Sequence, residues 1–543
     1  MTDPVTLEVV RNNLIDITRE MKVVVMRSAP TTLWKESGDL SCGILESSCE
    51  LVAQGPQDLP AHLATMPFSA KGALAGVEGD LEEGDVLFHN DPSAGNNHLP
   101  DCIMLMPVFQ EGILWAFTAV RGHWADIGGI GPGSYTTLTT DAIQEGLRIP
   151  PVRIYRRGKL DEQLLNIILA NVRSPELRRE DFFAQFAGCA RGAARFTDLC
   201  QKYGRDVIRE CMSDILDHGE RLTRAEIEKI PDGDYTFEDH YDGDGIDDVR
   251  LKVMVKVSVN GSDILVDLTG SSLQATGGMN APFAVTCSAI HFAIKAITDP
   301  WNAPNSGSYR SIKVHAPLGT MFNPVLPAPV IGCNSEVGII LSDAVIGALA
   351  PVCPDRAAAG SCGSGAIVVV GGKRVDGSRF HFMEALGSAG GGRSDADGWD
   401  GYRVGVGNMG ITSLEIIETE IPLRTICYEL AQGWGGEGQF RGGIPARHAF
   451  ELLADATVTI TGERSLVPAF GLFGGRPGKA AEYILNPGRR DERRLFSKTP
   501  PMLLKAGAAI SITSAGGGGF GPASERGETD RERDRVEGYV ETT

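Results

Sequence analysis

Basic residues are in short supply in this chain of 543 residues: 51 Lys and Arg stand against 70 Asp and Glu, a formal net charge of -19. Such a surface repels phosphate backbones and anionic headgroups, which excludes a nucleic-acid or membrane-surface binder. Long apolar runs are missing. The longest, such as residues 102–109 and 366–370, fall far short of the ~20 residues that span a bilayer. Residues 1–11 carry no basic stretch leading into an apolar one, so no secretory signal is read there. Eleven cysteines lie scattered with no Cys-x-x-Cys pair. That pattern reads as reduced, buried thiols, including Cys42 and Cys102, and a cytoplasmic address.

Nucleotide and nucleophile motifs are missing as well. Gly474-Gly475-Arg476-Pro477-Gly478-Lys479-Ala480 lacks the spacer and the Ser/Thr of a phosphate loop. The stretches 405–410 and 433–438 spell Gly-x-Gly-x-x-Gly. Polar Asp400-Gly401-Tyr402-Arg403 precedes the first and Gln439-Phe440-Arg441-Gly442-Gly443 follows the second. A dinucleotide site needs a buried strand before and a helix after, so both read as turns. Asp242-Gly243-Asp244-Gly245 opens like a calcium loop without the later ligands, and reads as a hairpin turn. No Gly-x-Ser-x-Gly elbow occurs.

What is abundant is glycine, 67 residues, dense in the second half and interrupted by aromatic and charged residues. These predict tight turns and close backbone approaches in a folded region rather than a linker. The length exceeds one ordinary core, so two or three domains are expected. Asp3-Pro4 followed by Leu7, Val10, Leu14, Ile17, Met21 and Val24 predicts a long amphipathic helix. Strands are predicted at 86–88, 103–108 and 114–120, the last two joined by a Glu111-Gly112 turn, with a hairpin over 41–52. Charged helices fill 174–230. Strands follow at 235–240, 251–259 and 263–268, helices at 285–297 and 337–349, and short strands past 425. The fold class is α+β and multi-domain. A metal-binding α/β region (1–230) precedes a mixed region (231–425) and a strand-rich, glycine-dense region with a charged tail (426–543).

His89-Asn90-Asp91-Pro92, His98-Leu99-Pro100-Asp101 and Arg121-Gly122-His123-Trp124-Ala125-Asp126 carry the chemistry, with His62 upstream. About the Glu111-Gly112 turn, residues whose numbers sum to about 223 face each other. His123 then lies opposite Pro100, between His98 and Asp101. Two imidazoles and a carboxylate at the open end of one hairpin suit a divalent metal. Each His-x-x-Asp alone reads as a strand cap; two of them facing each other favour the metal. Asp39 is a possible fourth ligand, although its spacing alone equally suits a turn aspartate.

Taken in order, these segments resemble the hydantoinase B/oxoprolinase family, which includes the alpha subunit of acetone carboxylase. The resemblance also runs through Glu36-Ser37-Gly38-Asp39-Leu40-Ser41, His62-Leu63-Ala64-Thr65-Met66-Pro67, Glu145-Gly146-Leu147-Arg148-Ile149-Pro150-Pro151, Asn171-Val172-Arg173-Ser174-Pro175-Glu176, Gly390-Gly391-Gly392-Arg393 and Gly516-Gly517-Gly518-Gly519. It implies a divalent ion, zinc or manganese, held by His98, Asp101, His123 and Asp39. Asp39 and His123 become the catalytic candidates, with His62 and Glu145 as further candidates for a base. It also implies a hydantoinase A-type, actin-like partner that binds ATP and magnesium, in a heterotetramer of two copies each. The implied reaction is ATP-driven opening of a cyclic amide such as a hydantoin, lactam or oxoproline. ATP-driven carboxylation of a ketone is the alternative, disfavoured by the compact chain.

Overall fold

Asp3 starts the first helix as its sequence predicts, accepting from the Thr6 backbone N–H at 2.9 Å, with Pro4 in the first turn. In the computed structural model, which describes residues 3–403 and 405–540, the helix Pro4–Ser28 buries Val10, Leu14, Ile17, Met21 and Val25. Leu7 and Val24 sit only at the edge of that stripe. The stripe meets the helix Pro175–Tyr203 at unusually close range. A side chain at Gly188 or Gly192 would strike Val25 or Met21 at about 2.5 Å.

Seven strands form the sheet beneath these helices: β1 (Leu40–Glu46), β2 (Leu51–Gln54), β3 (Val86–His89), β4 (Asp101–Gln110), β5 (Ile113–His123), β6 (Val152–Arg156) and β7 (Lys159–Leu160), in the order β2-β1-β5-β4-β3-β6-β7. One face carries Cys42, Cys102, Met104 and Val120 toward the long helices. The other carries Leu45, Leu87, Ile103, Leu105 and Phe117 toward the helix Met66–Gly76, the alternation that a two-sided buried sheet requires. Glu111 and Gly112 both have positive φ, 52° and 77°, as the tight β4–β5 turn demands.

A second sheet, β8 (Gly233–Tyr241), β9 (Leu251–Asn260), β10 (Asp263–Asp267) and β11 (Ile312–His315), packs against the helices Phe283–Thr298 and Gly338–Leu349. The remaining strands are β12 (Ile367–Lys373), β13 (Arg379–Ala385), β14 (Leu423–Leu430), β15 (Ala446–Leu452), β16 (Ala456–Thr461), β17 (Glu482–Leu485), β18 (Arg493–Arg494), β19 (Met502–Leu504) and β20 (Ala509–Thr513). They make two sheets, β13-β12-β16-β19 and β14-β15-β20-β17-β18. The first of these joins strands from both sides of residue 425. No disulfide joins any of the eleven cysteines, and nine of them are buried. Among the described residues no helix is long and apolar enough to cross a membrane. The charged tail contains a helix, Glu528–Val536, and its last three residues lie outside the described ones.

Candidate metal centre

Three strand ends meet at one corner of the seven-stranded sheet. Asp101, first residue of β4, pairs directly with His123, last residue of β5. Counting symmetrically from the turn places Pro100 there instead, one residue away. The difference comes from a bulge: Phe109 pairs with Leu114, but Val108 pairs with Ala116, leaving Trp115 as an extra residue. Beside β5, Leu40 of β1 pairs with Gly122, and the His123 N–H donates to the Asp39 carbonyl at 3.1 Å. His98 stands in the turn before β4, and His62 on the short helix Pro60–Leu63.

The side chains converge. His98 Nε2 lies 3.0 Å from Asp101 Oδ1 and 3.1 Å from His123 Nδ1, while His123 Nδ1 is 3.2 Å from Asp101 Oδ1. Ligand atoms of these three residues all fall within 4.8 Å of one another. His62 Nε2 is 3.4 Å from Asp101 Oδ2 and 3.8 Å from Asp39 Oδ1. All five residues are buried. They line one narrow cavity together with Tyr135, Asn334, Ser335, Arg403 and Met409.

Second partners fix these groups. His98 Nδ1–H donates to the Ile331 carbonyl at 2.7 Å, which turns Nε2 toward the cluster. Asn97 and Asn334 both donate to Asp101 Oδ2, at 3.0 and 2.9 Å. Trp34 Nε1–H donates to the His123 carbonyl at 2.7 Å. Fully buried Arg121 binds the His62 carbonyl at 2.8 Å, Asn96 at 2.9 Å, and the hydroxyls of Thr65 and Ser69, clamping the loops that carry the ligands. Burial alone would raise the Asp101 carboxyl, but the His98 and His62 charges hold it well below the ordinary range. Burial pulls the His98 imidazole down, yet the Asp101 charge and hydrogen bond outweigh it and carry it to about 9.

Glu145 lies behind the cluster rather than in the cavity. Its Oε1 accepts from the backbone N–H groups of Val330 and Ile331, each at 2.8 Å, and from Thr139 at 3.0 Å. It therefore anchors the same peptide whose carbonyl orients His98. Burial pushes its carboxyl up to about 7 despite those donors.

The donor set fits a divalent ion. Two borderline imidazoles and one hard carboxylate form a set of the kind zinc or manganese accepts, and the side chains of His98 and Asp101 are each held by a partner outside the cluster. His123 Nε2 is buried and finds no hydrogen-bond partner among the described residues. Asn334 and Arg403 escaped the sequence reading because they come from distant segments, and Tyr135 because no motif marks it. Asn334 does lie in a five-residue π-helical turn, Cys333–Val337, a local irregularity frequent at functional sites, but no residue spacing announces it.

The sequence profile of the hydantoinase B/oxoprolinase family matches residues 3–523. The chain is 31% identical to the B component of a putative D-/L-hydantoinase from Pseudomonas sp., over 99% of its own length and 93% of that protein. It is 30% identical to the caprolactamase beta chain of Pseudomonas jessenii, over 96% of this chain and 92% of that one. The crystal structure of the ATP-dependent caprolactamase from P. jessenii superposes with a TM-score of 0.93 at 28% identity, covering 100% of this chain and 95% of that chain. A nucleotide-free acetone carboxylase structure shares the fold, with a TM-score of 0.91 at 18% identity over 99% of this chain and 78% of that one. A family profile spanning nearly the whole sequence and a fold that superposes end to end lead to one conclusion: the chain belongs to the hydantoinase B/oxoprolinase family.

Proposed function

We propose that this chain is the metal-bearing subunit of an ATP-dependent cyclic amidohydrolase. It opens hydantoin-, lactam- or oxoproline-type rings together with an actin-like ATPase partner, as a heterotetramer with two copies of each. The observation that carries the reading is the buried convergence of His98, Asp101 and His123 within 4.8 Å, in a chain whose relatives are named as components of a hydantoinase and a caprolactamase. His98, Asp101 and His123, with Asp39 beside them, would hold zinc or manganese, which supplies Lewis acidity toward water or a carbonyl.

The side chains do the rest. Phosphorylation of the amide oxygen by ATP, with release of ADP, ends the amide resonance. Water then adds to the carbon and the C–N bond breaks, the ring nitrogen leaving as the protonated amine of an acyl phosphate; a second water hydrolyses that acyl phosphate to the carboxylate and inorganic phosphate. Asp39, whose carboxylate lies 3.8 Å from His62, would take the proton of the first water. Asn97, Asn334 and the Ile331 carbonyl keep Asp101 and His98 in one orientation, so none of the ordering is left to the reaction itself. The cavity offers about 30 Å³ to water-sized molecules, room for an ion and a water but not for a ring. A ring is admitted only if the lining of the cavity gives way.

The ketone carboxylase reading gains only the shared fold, and this chain spans 78% of the acetone carboxylase chain against 95% of the caprolactamase chain. The test is the complex with its ATPase partner, supplied with ATP and a panel of hydantoin, caprolactam and 5-oxoproline. Ring-opened product formed with ADP is the expected result. Consumption of acetone and bicarbonate, with every ring left intact, would overturn it.

A further inference from the structure

Arg403 lines the same cavity as Asp39, His62, His98, Asp101 and His123, and only 7% of it is exposed. A guanidinium carries its charge at every working pH, so a buried one normally has a carboxylate against it. This one does not. Its Nε and Nη1 are buried without any hydrogen-bond partner, and no described carboxylate lies within ion-pair distance. Among acidic groups, Glu336 feels the Arg403 charge. That carboxyl is pushed up to about 8 by burial and already accepts from the Tyr135 hydroxyl at 3.0 Å, so at neutral pH it adds little countercharge.

The guanidinium also has a socket made for it. A Cβ at Gly365 would fall 2.6 Å from Arg403 Nη2, and one at Gly407 would fall 2.9 Å from Nε. Two glycines thus leave room for the fork. We propose that Arg403 is the receptor for an oxyanion of the reacting molecule, gripping it in the cavity that also holds the His98, Asp101 and His123 ligands. This inference rests on the cyclic amidohydrolase reading. It adds a specificity-determining residue that the ligand cluster does not supply. The oxyanion has two possible sources with one chemistry: a carboxylate borne by the ring, or the phosphoryl group that ATP places on the amide oxygen. Both present the paired oxygens that a guanidinium binds with two parallel N–H donors.

The experiment is calorimetry on the full chain, without partner or ATP, using inorganic phosphate, 5-oxoproline and neutral caprolactam as probes. Metal content is measured on every sample. The wild type is expected to bind at least one of the two anions, and Arg403→Gln to weaken that binding roughly tenfold or more at unchanged metal content. Preference for 5-oxoproline assigns the carboxylate, and preference for phosphate assigns the phosphoryl group. Wild type that takes neither anion, or Arg403→Gln that binds the anion as wild type does, would overturn the proposal. If Arg403→Gln also loses metal, Gly407→Ala decides, because it keeps the charge and displaces the fork. Weakened anion binding there supports the proposal, and unchanged binding defeats it. Because no turnover is read, a failed ring-opening assay and a failed anion receptor give different results.

Discussion

Asp39 and His62 stand 3.8 Å apart at the side of the ligand cluster, both buried and both lining the cavity. His62 is held from behind, where its Nδ1 meets the Ser41 hydroxyl at 3.2 Å. Asp39→Asn keeps the size and one ligating oxygen but cannot take a proton. In the reconstituted complex this variant is expected to retain most of its metal and to lose ring opening by roughly 10²–10⁴-fold, the usual contribution of a positioned base. Turnover near the wild-type rate would make Asp39 a turn residue and move the base to His62. At this scale the sequence was legible where partners are neighbours along one hairpin: His98, Asp101 and His123 all lie within a single β-ribbon and its approach. It was illegible where the partner is remote. Asn334 reaches Asp101 across 233 positions, and the lack of a hydrogen-bond partner for Arg403 Nε and Nη1 among the described residues depends on its neighbours in space. Glu145 illustrates a third case, since its carboxylate faces backbone N–H groups that no sequence pattern displays.

Elements set the precision of the site. Period-two alternation and the Glu111-Gly112 turn locate β4 and β5, but alternation cannot reveal an extra residue at Trp115, so the predicted register is off by one at the end that matters. The bulge moves His123 from opposite Pro100 to opposite Asp101, which brings its ring onto the carboxylate. The β1–β5 pairing adds a second constraint through Gly122. A side chain there would come within 2.3 Å of the Trp34 ring, and Trp34 holds the His123 carbonyl. Gly122→Ala should therefore cost about 1–3 kcal/mol of stability through overpacking and weaken metal binding at the same time. Denaturant titration together with a competitive chelator assay checks both. A variant equal to wild type in both would remove Trp34 from the forces that fix His123.

Over the whole molecule, the glycine content resolves both into left-handed turns such as Gly112 and, in the second half, into tightly packed backbone. A Cβ at Gly517 would lie 1.9 Å from the Gly390 carbonyl, and one at Gly442 equally close to that of Gly517, so segments far apart in sequence stack with no side chain between them. The Gly-x-Gly-x-x-Gly stretch at 433–438 sits in this layer, where Gly436 N–H donates to the Gly517 carbonyl at 2.8 Å. Composition foretold close approaches without naming the partners, and it hid the sheet in which β12 pairs with β16 across residue 425. The layers bring Arg403 and Asn334 to the corner of the first sheet where His98, Asp101 and His123 meet. The central claim is that this corner holds a metal. Plasma mass spectrometry of the full chain, purified without chelator, measures it directly on wild type and on His123→Ala. About one zinc or manganese ion per wild-type chain is expected, and almost none in a His123→Ala chain that keeps its far-ultraviolet dichroism. A wild-type chain that takes up neither ion even when supplied, or a His123→Ala chain with undiminished metal, would contradict it.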